Sequence, residues 1–324
     1  MRKRLTIFLV GAAILLSVPP GAEAKWAQAG KLKGVSVLAF AAAGSTIFAG
    51  TDQGIYHSPD NGAHWTARSA GLPEGSVVMC LTVSGSNVYA GTGGRGVFRS
   101  EDNGANWKAV NSGLADLRIM CLLVDGENLF AATMGGGVFL STDDGARWTA
   151  VSSGLPEATS INCLFKSGQR LFAGTDYRGF YFSTDDGANW TEIQSDIDAG
   201  NPVSCMAAKG NDLLAGTVNG IFRSTDGGVT WEIASLALES AMLGILPQTS
   251  VMCLAVGGPY VFAGTDGAGV YVSSNRDKSW VIINSDLKNG QVYALVVVGE
   301  NLFAGTLGGG VWRLPLAKVK VKKQ

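Results

Sequence analysis

One phrase written seven times governs what this chain can fold into. Ile47-Phe-Ala-Gly-Thr51 returns as Val88-Tyr-Ala-Gly-Thr92, Leu129-Phe-Ala-Ala-Thr133, Leu171-Phe-Ala-Gly-Thr175, Leu213-Leu-Ala-Gly-Thr217, Val261-Phe-Ala-Gly-Thr265 and Leu302-Phe-Ala-Gly-Thr306. Measured at the second residue, successive copies stand 41, 41, 42, 42, 48 and 41 residues apart. A period of about 40 to 45 residues is the length of one four-stranded propeller blade, a unit that must stack on its neighbours to bury its apolar faces. Helical solenoids also repeat, but they need a 3.6-residue apolar period, which this chain lacks. The expected fold is all-β: a seven-bladed β-propeller of four-stranded blades.

Turn residues divide each unit into four short strands. In the third copy these are Ile119 to Val124, Asn128 to Thr133, Gly137 to Ser141 and Arg147 to Val151, separated by Asp-Gly, Met-Gly-Gly and Asp-Asp-Gly connections. Glycine supplies 45 of 324 residues, about twice its usual share of roughly 7%, as a chain with this many tight turns requires. The seventh unit ends without an outer strand. The segment Lys25-Trp-Ala-Gln-Ala-Gly-Lys-Leu32 is similar to Trp148-Thr-Ala-Val-Ser-Ser-Gly-Leu155 and supplies the missing piece, so Trp26 is expected beside Leu314. Such closure removes the open sheet edge that invites aggregation.

Residues 1–24 read as an export signal: Met1-Arg-Lys-Arg4, an apolar run from Leu5 to Val18, and Ala22-Glu-Ala24 before the cut. The propeller is then expected over 25–316 and a basic tail over 317–324, with a periplasmic or extracellular location. No later segment reads as a membrane span. After cleavage 22 basic and 25 acidic residues remain, a net charge of −3, which gives no footing for nucleic acid. A monomer is expected.

Five units carry a second phrase, S-x-D-x-G-x-x-W. Its aspartates and tryptophans are Asp60 and Trp65, Asp102 and Trp107, Asp143 and Trp148, Asp185 and Trp190, and Asp226 and Trp231; a degraded sixth copy, Ser273-Ser-Asn-Arg-Asp-Lys-Ser-Trp280, keeps only its ends. This pattern resembles the Asp-box, or BNR, repeat of sialidases, sortilin-type propellers, some endoglucanases and the photosystem II stability/assembly factor family. The resemblance implies a propeller and leaves the activity open, because those families do different things on similar blades. The residues themselves point to scaffold roles. A short side-chain acceptor holds the backbone N–H groups of its turn, glycine takes a positive φ, and tryptophan starts the outer strand as an apolar cover. A calcium loop on Asp143 and Asp144 lacks the ligand count and the distal glutamate.

Cys80, Cys121, Cys163, Cys205 and Cys253 fall at one repeated position, where blade seven has Ala294, and read as small buried hydrophobes rather than a disulfide framework. The two histidines, His57 and His64, are too few for most metal or nucleophile sites. No metal and no cofactor are expected. Glycoside hydrolysis is the enzymatic alternative, since it needs only suitably spaced carboxylates or a tyrosine nucleophile with partners. A carbohydrate-binding propeller without catalysis is another alternative. The three-arginine clamp and the F/Y-R-I-P motif that sialidases carry are missing.

Loops between second and third strands share a face with the inter-blade loops, opposite the boxes. That face is expected to carry Asp52, Arg95, Asp176, Tyr177, Arg178 and Asp266. Blade five adds an insertion, 234–247, that brings Leu236, Met242, Leu243 and Ile245 toward the same side. Exposed loop aromatics, arginines and apolar side chains are the residue types of binding surfaces. The reading that best fits the sequence is an exported platform for a protein or glycan partner.

Overall fold

The computed structural model of the chain describes residues 25–321 apart from 33, 195–196, 198–199, 237–249 and 275–278. Within them the chain forms seven antiparallel four-stranded sheets. The first blade shows the plan: Val37–Ala43 is innermost, Thr46–Thr51 second, Gly54–Ser58 third and Thr66–Ala67 at the outer edge. Each inner strand packs on the inner strand of the next blade, and Val37–Ala43 meets Val292–Val298 of blade seven to complete the ring.

The repeated phrase is explained residue by residue. The second strand is buried on both faces: Phe48 packs toward Val78, Val88 and Ala90 of blade two, while Ile47 and Ala49 pack toward Val298 and Phe303 of blade seven. Burial on both sides is why the strand reads as a continuous apolar run. Glycine follows because the blades converge near the axis. A Cβ on Gly50 would stand 2.7 Å from Val78 Cγ1, and one on Gly305 would stand 2.6 Å from Val37 Cγ1, both closer than carbon atoms approach. Threonine ends the phrase because its buried hydroxyl closes the next turn. Thr51 Oγ1 donates to Gly54 O at 2.8 Å and accepts the Gln53 N–H at 3.0 Å. The other six threonines donate to Gly96, Gly137, Gly179, Gly220, Gly269 and Gly310 in the same way.

The tryptophans join blades rather than cover their own hairpins. Trp148, 3% exposed, packs with Tyr89 and Val97 of blade two as well as Phe139 of its own blade. Its backbone N–H donates to Ser112 O at 2.8 Å and its indole to Val110 O at 2.7 Å, both in the preceding blade. This outward commitment shortens the outer strand, expected over Arg147 to Val151, to Thr149–Ala150, with Trp148 standing just before it.

The ends of the chain meet as the sequence implies. Ala27 pairs with Arg313 and Gln28 with Trp312, so Ala27–Gln28 is the outer strand of blade seven. Trp26 then does what Trp148 does: its N–H donates to Ser285 O at 3.0 Å and its indole to Ile283 O at 2.6 Å, in blade six. The acceptors lie five and three residues after Trp280, as Ser112 and Val110 lie five and three after Trp107. Past Leu314 the chain does not leave the fold at once. Leu316–Lys318 form a short 3-10 turn, Val319 is buried, and its carbonyl accepts from Tyr260 Oη at 3.1 Å.

The cysteines sit between inner strands. The Sγ of Cys163, Cys205 and Cys253 donates to Val203 O, Val251 O and Val292 O of the following blade, at 3.7 to 3.9 Å. Burial raises the pKa of all five thiols, to about 11 for Cys121, so they stay protonated and unreactive.

Candidate functional site

Because each inner strand runs toward the first hairpin, that hairpin and the boxes lie on one face of the ring. The second-to-third loops and the inter-blade loops lie on the other. Asp52, Arg95, Asp176, Tyr177, Arg178 and Asp266 therefore share this second face, spread over blades one, two, four and six. Two of its carboxylates are committed locally. Asp52 Oδ1 accepts the Ser36 N–H at 3.0 Å and Asp176 Oδ1 the Ser160 N–H at 3.1 Å, each answered by a backbone bond in the opposite direction. Asp266 is exposed and receives Gln291 Nε2 at 3.1 Å.

Blade four departs from this pattern at its loop tip. Tyr177 has φ of +59° and is 64% exposed, at the place where blades six and seven carry Gly267 and Gly308 with positive φ. A non-glycine residue in the left-handed region costs about 1–2 kcal/mol. The loop is held in that shape by the Arg178 N–H donating to Thr175 Oγ1 at 3.1 Å and by Tyr181 Oη donating to Arg178 O at 2.9 Å. The exposed guanidinium groups of Arg95 and Arg178 make no hydrogen bond or ion pair with the described residues. An aromatic ring is thus held out in solvent by a strained backbone, beside an unpaired cation.

Three further side chains on blades two and three of this face escape sequence reasoning. Val77 immediately precedes an inner strand, Leu117 stands two residues before one and Met134 follows a second strand, positions that read as core or turn. All three are exposed, Met134 by 48%. Arg118 stands between them with its guanidinium on the Asp116 carboxylate, Nη2 to Oδ2 at 2.8 Å and Nε to Oδ1 at 2.9 Å, which lowers the pKa of Asp116. Blades two, three and four together offer apolar tips interleaved with Arg95, Arg118 and Arg178.

The box face is built otherwise. Asp143 Oδ1 accepts Ser141 Oγ–H at 2.8 Å and the Arg147 N–H at 2.9 Å, and the Gly145 N–H donates to Ser141 Oγ at 2.9 Å. Asp60, Asp102, Asp185 and Asp226 accept the equivalent serine hydroxyl and an N–H four residues on. The side-chain amides of Asn106 and Asn189 add a bond to the second oxygen of Asp102 and Asp185. These amides first, then the N–H and serine bonds, favour the charged form and bring both carboxyls to about 2. The box aspartates are engaged within their own turns, while the next residue, Asp144 or Asp186, accepts from Tyr89 of a second strand or Lys166 of an inner strand. Met242, Leu243 and Ile245 of the blade-five insertion, and the side chain of Leu236, lie outside the described residues; the outer strand Glu232–Leu236 leads up to them.

Among the described residues no cluster of histidine, cysteine, aspartate or glutamate could hold a metal ion, and no helix is long and apolar enough to cross a membrane.

Residues 23–170 match the family profile described as DUF6242 beta propeller domain. No curated protein matches the chain in sequence. Among solved structures, the extracellular domain of the putative one component system BT4673 from B. thetaiotaomicron superposes with a TM-score of 0.71 at 18% identity, over 90% of this chain and 38% of that one. YCF48 from Cyanidioschyzon merolae gives 0.70 at 15% identity, over 91% and 100%. YCF48 bound to D1 peptide gives 0.70 at 12%, over 90% and 97%. The chain therefore spans under half of the BT4673 domain but the whole of YCF48. Identities this low establish a shared fold, and the resemblance to photosystem II assembly-factor propellers holds at that level.

Proposed function

We propose that the chain is an exported, non-enzymatic platform that captures a segment of a partner protein on the face opposite the boxes. The observation that carries this reading is Tyr177, an aromatic ring held exposed by a left-handed backbone where sibling loops use glycine. Strain retained at an exposed position, with no packing to offset it, points to function. Arg178 and Arg95 add unpaired cations, and Val77, Leu117 and Met134 add exposed apolar surface, the combination found in binding hot spots. A propeller of the same fold has been solved with a peptide bound, and another is an extracellular domain; both facts favour a protein partner and an exported site.

In this reading residues 1–24 are the export signal, 25–316 the propeller and 317–324 a basic extension. The boxes, with Asp60 to Asp226 and their tryptophans, hold the ring together and do not touch the partner. The outer strand Glu232–Leu236 runs toward the binding face, and the insertion that follows it in sequence adds to capture.

The test is capture of partner from a native envelope extract by the immobilised chain. The Arg178→Ala protein, and one shortened across 237–246, are expected to retain less than wild type while melting at a similar temperature. Equal capture by both would overturn the assignment of the face. Turnover of a sialyl or β-glucan substrate that is lost in Asp176→Asn would favour a glycoside hydrolase instead.

A further inference from the structure

A groove lined by blade-five residues, on the box face, carries a feature that the platform does not use. Lys209 ends the inner strand Val203–Lys209, Asp212 opens the second strand Asp212–Thr217, and the two pair across the Gly210-Asn211 turn. With Asn211, Arg223 and Thr225 they line a cleft of about 640 Å³. The Lys209 Nζ is shut off from solvent and has no hydrogen-bond partner among the described residues. Asp212 does not pair with it; its Oδ2 accepts from Arg223 at 2.7 Å (Nη2) and 3.2 Å (Nε). Glu232 also faces Arg223, with its Oε1 3.6 Å from Nη1. A buried ammonium without a counter-charge is costly, so an anion that the Lys209 side chain meets in the cleft would be favoured.

The joint between blades three and four shows how this fold satisfies a lysine at the same depth. There Lys166 Nζ lies 3.0 Å from Asp125 Oδ2 and 2.9 Å from Asp186 Oδ1. Asp125 is the last residue of its inner strand, the place Lys209 takes in blade five; Lys166 is last but one, the place of Val256 in blade six. One joint surrounds an ammonium with carboxylates. The other replaces a carboxylate with an ammonium and the partner lysine with valine.

We infer that this cleft binds a phosphate group. Lysine presents a point charge with three donors, and the Thr225 hydroxyl and Asn211 amide line the same cleft as uncharged donors. A planar carboxylate would be better served by a guanidinium fork, and the fork present, Arg223, is already closed on Asp212. The site lies on the opposite side of the ring from Tyr177, so it stands or falls independently of the platform.

The purified chain can be titrated calorimetrically with inorganic phosphate and, in parallel, with glycerol phosphate. Saturable binding is expected for wild type, weakened at least about tenfold in Lys209→Met and unchanged in Lys108→Met, whose residue is exposed on the outer strand of blade two. Tighter binding of glycerol phosphate would assign the cleft to a phosphate carried on a larger molecule, and tighter binding of the inorganic ion to free phosphate. Melting curves give an independent readout: without phosphate, Lys209→Met is expected to melt at or above the wild-type temperature, and phosphate to raise the melting point of wild type alone. The proposal is overturned if wild type shows no saturable uptake below ~10 mM, if Lys209→Met binds equally well, or if that variant melts well below wild type without phosphate.

Discussion

Asp143 and Trp148 belong to the same box but stabilise the fold by different physics, the first within its turn and the second across to the preceding blade, and the two respond differently to perturbation. The aspartate works through hydrogen bonds in an exposed turn, and its carboxyl titrates below the ordinary range, as Asp102 and Asp185 do at about 2. A carboxylate whose folded pKa is depressed adds stability that is present above the unfolded value, near 4, and lost as pH falls through the folded value. The melting temperature is therefore expected to drop as pH falls from about 4 to 2, with a shallower drop in Asp102→Asn and Asp185→Asn; thermal scans across that range check it. Trp148→Ala removes a buried wedge between blades and is expected to cost about 3–5 kcal/mol in denaturant unfolding. Tyr177→Gly is expected to raise the melting temperature or leave it unchanged, since glycine relieves the left-handed strain, while partner capture falls; a clear drop in melting temperature would show that the ring is packed in solution. The Asp, Gly and Trp of each box were legible in the sequence because their pattern is local. The turn-closing role of Thr51 and its equivalents was not, since a threonine that ends a strand looks like any β-branched residue. The direction in which Trp148 points was equally hidden, because its acceptors lie in another blade.

At the scale of elements, the strand Ala27–Gln28 matters most for its length. It supplies the outer edge of blade seven, and Trp26 anchors it to blade six through Ser285 and Ile283. Deleting Lys25 to Lys31 is expected to bare that edge and cause aggregation or a large fall in melting temperature. Trp26→Ala should lose stability comparable to Trp148→Ala, since both make the same two bonds. A deletion protein that stays monomeric and melts like wild type would contradict the closure. This strand was legible because its tryptophan and glycine echo other outer strands. The outer strands are shorter than their turn residues implied, two residues in six blades, and before four of them the N–H of Trp26, Trp107, Trp148 or Trp190 is spent on the preceding blade. Exposure of Val77, Leu117 and Met134 was not legible, since valine, leucine and methionine at strand ends carry the same signal whether or not a neighbour covers them.

For the whole molecule, seven near-identical units fix the ring, and function has to come from where the units differ. Blade four differs at Tyr177, blade five at its insertion and at Lys209, and blades two to four at their arginine and apolar loop tips. Repetition made the fold readable at once and, for the same reason, said little about the site, because a repeated residue is accounted for by the scaffold. Each inner strand keeps one unpaired edge, which the ring turns inward among the other inner strands, and a monomer is expected in solution. The most direct test of the platform is site-specific photo-crosslinking in the native envelope, with the reactive side chain placed at Tyr177, Leu117 or Met134 on one face and at Asn106 or Asn189 on the box face. Adducts with a common partner are expected from the first three positions and not from the last two. Adducts confined to the box-face positions would contradict the account.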